Sequence, residues 1–206
     1  LSEDVLAAIE AVKKLGIKVK FKDNKCLIHG AGISGYKYKK NITIDAKNSG
    51  TLGRLILGLL INTPYPIKII GDQSLSKRDF NRVAFPLSKF GAKFELNKNH
   101  GLPLKIFGTQ QSNPIKYFEK KGSAQFKSSV IFAAMRTEGK TIIKAKKSRN
   151  HTELLCKYLK LPIKLRSKKN LDLIEVNKVK KITPLNYKIP SDISSGSFFI
   201  VLASLV

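Results

Sequence analysis

Two predicted helix starts carry side chains suited to binding an oxyanion. The small polar residues Gly122-Ser123-Ala124-Gln125 directly precede a helical run, and Ser148-Arg149-Asn150 open a second one. The first turn of a helix has unpaired backbone N–H groups and the positive end of the helix dipole, which favour a bound anion. The sequence therefore predicts a site for a phosphate or a carboxylate, built from Ser123, Gln125, Ser148 and Arg149.

The elements that hold these residues are predicted by apolar spacing. Residues 126–135 place Phe126, Val130 and Ala134 on one helical face, and further apolar residues widen that surface, so we expect a buried helix. A β-branched strand over 141–145 follows. Asn150 and Glu153 then have the spacing of a capping box at the start of the second helix. The two helix starts are thus separated by one strand.

The chain carries a net charge of +25, but its lysines are scattered over turns and strands instead of forming one basic helix or block. We interpret them as a solvated surface, with a basic nucleic-acid-binding module as the alternative from another class. Arginine is scarce by contrast, and its planar fork suits bidentate binding of carboxylate or phosphate. The arginines are Arg54, Arg78, Arg82, Arg136, Arg149 and Arg166.

Other residue types point away from metals, membranes and nucleotides. Cys26 and Cys156 have no partners at metal-ligand spacing, so we expect buried thiols, no metal site and no cofactor. The sequence shows no signal peptide and no apolar run of membrane-spanning length, which predicts a cytoplasmic protein without a membrane partner. The Gly-rich stretch 30–35 spells a dinucleotide-binding pattern, but no helix follows it, so we predict a loop.

The order of predicted elements repeats along the chain. Helix, strand, helix, strand, turn and strand run from residue 50 to 108 and again from 123 to 176. Ser76-Lys77-Arg78-Asp79 and Lys147-Ser148-Arg149-Asn150 mark the register, each with an arginine before a capping residue, 71 residues apart. Residues 2–29 match the second half of the unit. They begin with a helix whose predicted apolar stripe is Val5, Leu6, Ile9, Val12 and Leu15. We therefore predict an α/β (α+β) fold of tandem βαβαββ units packed on each other.

Five separated motifs together resemble one family. They are Asn48-Ser49-Gly50-Thr51-Leu52-Gly53-Arg54, Gly71-Asp72-Gln73-Ser74-Leu75-Ser76-Lys77-Arg78, Gly122-Ser123-Ala124-Gln125-Phe126-Lys127-Ser128, Ser148-Arg149-Asn150-His151-Thr152-Glu153 and Pro190-Ser191-Asp192-Ile193-Ser194-Ser195. In this order they resemble the EPSP synthase family, the 3-phosphoshikimate 1-carboxyvinyltransferases of the shikimate pathway. The resemblance implies two domains of βαβαββ units, with helices packed inward, sheets outside and substrates in the cleft between the domains. Residues 1–188 then form an N-terminal-type domain, and residues 189–206 begin the second domain.

The resemblance implies transfer of the enolpyruvyl group of phosphoenolpyruvate to the 5-hydroxyl of shikimate 3-phosphate, with release of phosphate. It assigns binding of shikimate 3-phosphate to Ser123, Ala124, Gln125, Ser148 and Arg149. It assigns binding of phosphoenolpyruvate to Gly50, Arg78 and Gln125, with Gly50 as the glycine on which phosphoenolpyruvate or glyphosate packs. No cofactor is implied, and we expect the full-length enzyme to be a monomer.

The sequence also departs from the family pattern. The family's N-terminal Lys-Ser-x-x-x-Arg motif and its acid and base residues have no counterpart here, so no catalytic residue is assigned, and we expect the chain alone to be inactive. Gly53 and Leu55 flank Arg54 where methionine and proline are the commonest residues. UDP-N-acetylglucosamine enolpyruvyl transferase is the alternative within the fold, although no cysteine falls in a candidate catalytic loop. A repeat scaffold without a ligand is the remaining alternative.

Overall fold

The computed structural model describes residues 2–22, 25–33, 35–190 and 201–204. The helices are α1 (Glu3–Lys14), α2 (Gly50–Leu59), α3 (Gln73–Ser76), α4 (Asn81–Ser88), α5 (Ala124–Ala134) and α6 (His151–Tyr158). The strands are β1 (Lys18–Lys22), β2 (Lys25–His29), β3 (Thr43–Asp45), β4 (Ile67–Ile70), β5 (Lys93–Leu96), β6 (Leu104–Phe107), β7 (Lys116–Glu119), β8 (Lys140–Lys146), β9 (Ile163–Lys168) and β10 (Leu171–Asn177). Residues 201–204 are also helical. Of the predicted motif 190–195, only Pro190 lies within the described residues.

Two copies of one topology make up most of the fold, as the sequence predicts. In the first copy α2 connects the parallel strands β3 and β4, and the antiparallel strands β6 and β5 complete the order β3-β4-β6-β5. In the second copy α5 connects the parallel strands β7 and β8, and the order is β7-β8-β10-β9. Helix α1 with the hairpin β1–β2 corresponds to the second half of such a unit.

Helices α2 and α5 pack on each other in the interior, and the sheets cover them. Strand β4 shows the alternation that this requires, since Ile67 and Ile69 are buried and Lys68 is exposed. The helix contact is close, because a Cβ on Gly58 would lie 2.0 Å from the backbone oxygen of Ser129. Glycine at position 58 therefore permits the approach that brings the starts of the two helices together.

The structure corrects two predictions about burial. Val5 and Leu6 of α1 are 44% and 47% exposed, because the face that meets the core is formed by residues at fourfold spacing, Ala7, Ala11 and Leu15. Both cysteines were predicted to be buried, yet Cys26 is exposed, like every other residue of strand β2. Cys156 is buried as predicted.

The remaining differences are local. Helix α4 begins at Asn81 and not at the predicted cap Asp79, whose carboxylate instead accepts the N–H of Asn81 at 2.8 Å in the turn before the helix. Pro86 lies inside α4 and is buried. The Gly-rich stretch is a loop at residues 30–33 and 35–39, as predicted. In the described ranges no helix is both long enough and apolar enough to cross a bilayer.

Candidate functional site

The first wall of the candidate site is the N-terminus of α5. Ser123 caps this helix in an extended backbone conformation, and its Oγ accepts the N–H of Phe126 at 3.4 Å. The buried carboxylate of Glu119 accepts the N–H of Ser123 at 2.9 Å, which fixes the turn between β7 and α5. The N–H groups of Ala124 and Gln125 have no helical carbonyl before them, so they are the donors that the helix end offers to a ligand.

The second wall is the turn between β8 and α6. Oγ of Ser148 is buried and has no hydrogen-bond partner in the part of the chain that the structure describes, and Arg149 is exposed. The predicted capping box is wrong, since Asn150 occupies the N-cap position without a side-chain hydrogen bond. Glu153 turns inward instead and lies 2.6 Å from Nζ of Lys127, because a charged ammonium is a stronger partner for a carboxylate than a backbone N–H is.

The two walls meet in one pocket with a volume of about 420 Å³. Its lining consists of Gly122, Ser123, Ala124, Gln125, Ser148 and Arg149. The structure thus brings together all the residues to which the resemblance assigns binding of shikimate 3-phosphate. Their binding of that ligand stays a prediction. A volume of this size falls in the range of sites for small molecules.

Gly50, Arg54 and Arg78 form a second cluster at the N-terminus of α2. A Cβ placed on Gly50 would lie 2.9 Å from Nη1 of Arg78 and 3.4 Å from Nη1 of Arg54. Burial lowers the pKa of the Arg54 guanidinium, and the positive charges of Arg78 and Arg82 lower it further, while the carboxylate of Asp79 opposes the shift. This concentration of positive charge favours the binding of an anion.

Sequence reasoning did not assign Arg54 to the site. Its Nη1 donates to Oε1 of Gln125 over 2.5 Å, and Nε2 of Gln125 donates to Oγ1 of Thr51 over 2.8 Å. The Arg54 guanidinium also lies over the rings of Phe80 and Phe126, 5.9 and 5.7 Å from their centres. Gln125 therefore belongs to both clusters, and the pocket and the arginine cluster form one continuous site. The signal that could have found Arg54 is its position one helical turn after Gly50.

A buried ion pair also escaped the sequence interpretation. The side chains of Lys127 and Glu153 are 0% and 1% exposed, and Nζ lies 2.6 Å from Oε1. Beside this pair, Oγ of Ser128 and Oγ1 of Thr152 form a hydrogen bond of 2.7 Å. Both contacts join residues near the start of α5 to the first turn of α6, and the residues that precede them in the chain line the pocket.

The groups that line the site are suited to binding an oxyanion. The guanidinium groups, the Ser148 hydroxyl and the first-turn N–H groups are all donors. The buried carboxylates near the site are engaged, since Glu119 accepts backbone N–H groups and Glu153 pairs with Lys127. Among the described residues, no group of His, Cys, Asp and Glu side chains is arranged to hold a metal ion.

Proteins of known sequence are similar over nearly the whole chain. The 3-phosphoshikimate 1-carboxyvinyltransferase of Caldicellulosiruptor bescii is 42% identical over 204 residues, which are 98% of this chain and 46% of the relative. The protein of the same name from Streptococcus agalactiae is 38% identical over 206 residues, 99% of this chain and 47% of the relative. The chain spans about half the length of the curated relatives it matches.

Solved structures agree with the sequence matches. EPSP synthase from Acinetobacter baumannii matches with a TM-score of 0.85 at 33% identity, and the match covers 98% of this chain and 45% of that chain. This match confirms the predicted α/β fold class. A family model described as EPSP synthase (3-phosphoshikimate 1-carboxyvinyltransferase) matches residues 1–206. Because that match covers the entire chain, the chain belongs to the EPSP synthase family.

Proposed function

We propose that this chain is the part of a 3-phosphoshikimate 1-carboxyvinyltransferase that binds shikimate 3-phosphate and the phosphate end of phosphoenolpyruvate. The observation that carries the proposal is the convergence of two distant segments on one pocket, which is lined by Ser123, Ala124, Gln125, Ser148 and Arg149. Residues 1–188 act as one wall of the substrate cleft, and residues 189–206 begin the domain that forms the other wall.

The pocket suits the phosphate monoester of shikimate 3-phosphate. A phosphate monoester near neutral pH carries almost two negative charges and three strong acceptor oxygens. The first-turn N–H groups of Ala124 and Gln125 and the fork of Arg149 supply donors from two directions. The hydroxyl of Ser148, which is buried and unpaired in the described chain, gains a partner when the phosphate binds.

The arginine cluster suits phosphoenolpyruvate. Burial and the repulsion from neighbouring arginines both lower the pKa of Arg54, and an anion beside Arg78 and Arg54 offsets both effects. Gly50 has no Cβ, so the ligand can approach the N-terminus of α2 and its backbone N–H groups closely. The amide of Gln125 is fixed by Arg54 and Thr51 and stands between the two ligands.

This chain contributes to the reaction by positioning both substrates and by supplying positive charge. Holding both substrates in one cleft makes the addition of the 5-hydroxyl to phosphoenolpyruvate effectively unimolecular. The guanidinium groups stabilise the negative charge of the phosphates as the tetrahedral intermediate forms and phosphate leaves. The proton transfers need acid and base groups within hydrogen-bond reach of the reacting atoms, and in the proposed enzyme these groups belong to residues outside 1–206.

Two substitutions that keep charge but lose the planar fork test the ligand assignment. In titration calorimetry of the purified chain, Arg149→Lys should weaken binding of shikimate 3-phosphate by about tenfold or more and leave phosphoenolpyruvate nearly unchanged. Arg78→Lys should do the reverse. Arg166→Lys on β9, exposed and outside both clusters, is the matched control. Equal losses for both ligands, or preferential binding of UDP-N-acetylglucosamine, would contradict the proposal.

A further inference from the structure

Lys127 and Glu153 form an ion pair that is removed from solvent and does not line the pocket. Beyond their mutual contact of 2.6 Å, neither the ammonium nor the carboxylate has a hydrogen-bond partner in the described ranges. Each ion loses its hydration on burial, and only the attraction of its partner compensates for that loss. A pair in this position therefore requires an explanation.

The location of the pair supplies one. Lys127 lies in the first turn of α5, two residues after Gln125 of the first pocket wall, and Glu153 lies in the first turn of α6, four residues after Arg149 of the second wall. The hydrogen bond between Ser128 and Thr152 runs beside it. Two adjacent polar contacts thus connect the helix starts that carry the two halves of the pocket.

Stability alone does not account for such a pair. Replacing both members of a buried ion pair by apolar residues of similar volume is often neutral or stabilising. An ion pair differs from an apolar contact in being short and directional. When a core keeps its volume and its apolar pattern but loses specific contacts, the protein first loses its single well-ordered structure and only later its stability. The pair is therefore suited to fixing a separation between α5 and α6.

We infer that Lys127 and Glu153 are positioning residues that hold the two walls of the phosphate pocket at the separation required by one bound phosphate. The inference rests on the proposed function, because this separation matters only if one ligand contacts both walls. Gly50 begins α2 and Arg78 follows α3, so both lie outside the linked pair of helices, while Gln125 on α5 is held by Arg54 and Thr51 of α2. Binding of phosphoenolpyruvate by these residues therefore does not require the separation between α5 and α6 that the ion pair sets, which separates a positioning role from a general structural one.

The decisive variant is the double substitution Lys127→Met with Glu153→Leu, which removes both charges and keeps the side-chain volumes similar. We expect a thermal unfolding midpoint no lower than that of the unchanged chain. In titration calorimetry, binding of shikimate 3-phosphate should weaken by about tenfold or more while phosphoenolpyruvate stays within about twofold. The control is Lys13→Met with Glu10→Leu, which removes the exposed pair of α1 at 2.9 Å and should change neither affinity.

A second variant, Thr152→Val, keeps the ion pair and removes the neighbouring hydroxyl contact. It should weaken binding of shikimate 3-phosphate by about threefold to tenfold, the equivalent of one hydrogen bond, without an effect on phosphoenolpyruvate. Unchanged binding in the double variant, equal losses for both ligands, or a double variant that fails to fold would each overturn the positioning role, whereas unchanged binding in Thr152→Val would assign that role to the ion pair alone. Absence of shikimate 3-phosphate binding by the unchanged chain would overturn the proposed function as well, so the two failures are distinguishable.

Discussion

Arg54 on α2 donates a hydrogen bond to Gln125 on α5, with 2.5 Å between Nη1 and Oε1, across the boundary between the two repeats. The other end of the same amide donates to Thr51 on α2. Gln125 is therefore held by two hydrogen bonds to residues of the first repeat, although it belongs to the second. This arrangement makes the start of α5 the meeting point of the pocket and the arginine cluster.

Replacing Gln125 by methionine should weaken both ligands together, because the variant keeps the side-chain length but loses both hydrogen bonds to α2. The free energy of unfolding should fall by about 1–3 kcal/mol, since the partners Arg54 and Thr51 are left unpaired. Urea denaturation and titration with each ligand measure the two effects. Gln110→Met in the exposed loop after β6 is the control. Loss of one ligand alone would contradict the shared role of Gln125.

Gly50→Ala should affect phosphoenolpyruvate selectively. The new Cβ would lie 2.9 Å from Nη1 of Arg78, so this guanidinium has to move. Because Nη1 is the end of a flexible side chain, the fold should tolerate the change, while phosphoenolpyruvate binds about tenfold more weakly. Titration calorimetry of both ligands checks this. Gly30→Ala, whose Cβ meets no atom within 4 Å, is the matched control. A loss of shikimate 3-phosphate binding of the same size would count against the assignment.

The two cysteines should differ in reactivity. Burial, with a further contribution from the charge of Glu153, raises the pKa of the Cys156 thiol to about 11, whereas Cys26 is exposed. A thiol-specific reagent at pH 8 should therefore modify Cys26 rapidly and Cys156 only on unfolding. With Cys26→Ser, the remaining thiol should become reactive in urea or near pH 11. The free energy of unfolding should decline as pH rises above 9.0, the ordinary pKa of the thiol, because the unfolded chain ionises first. Equal labelling rates in the native state would refute the buried assignment.

The chain alone should not turn over the two proposed substrates. The acidic residues near the site are engaged in structure: Asp72 caps α3, Asp79 holds the turn before α4, Glu119 accepts backbone N–H groups, and Glu153 pairs with Lys127. None of them is left to transfer a proton to or from a substrate. Phosphate release, measured with purified chain and both substrates, should stay at background. Turnover near about 10 per second, a median enzyme rate, would show that residues 1–206 contain the catalytic groups.

Much of the site was predictable because its elements are specified by near neighbours in the sequence. Ser123 lies at the start of α5 as predicted, and its hydroxyl caps the helix by accepting the N–H three residues further on. The repeat was also predictable from the sequence, because strand alternation, helical spacing and turn residues recur in the same order in both copies. Arg78 and Arg149 occupy equivalent positions in the two copies, 71 residues apart, and the sequence predicted that each lies beside a helix start.

Only the tertiary structure decided which partners the charged side chains take. The sequence offers Glu153 a local partner at its own helix start, but the carboxylate pairs with Lys127 on another helix. Arg54 likewise reaches Gln125 in the other repeat. The reason is burial: an exposed helix end can be hydrated, whereas an ammonium without water has only a carboxylate to compensate it. Which groups lose water depends on how α2, α5 and α6 pack, and the spacing of residues within one helix does not predict this packing.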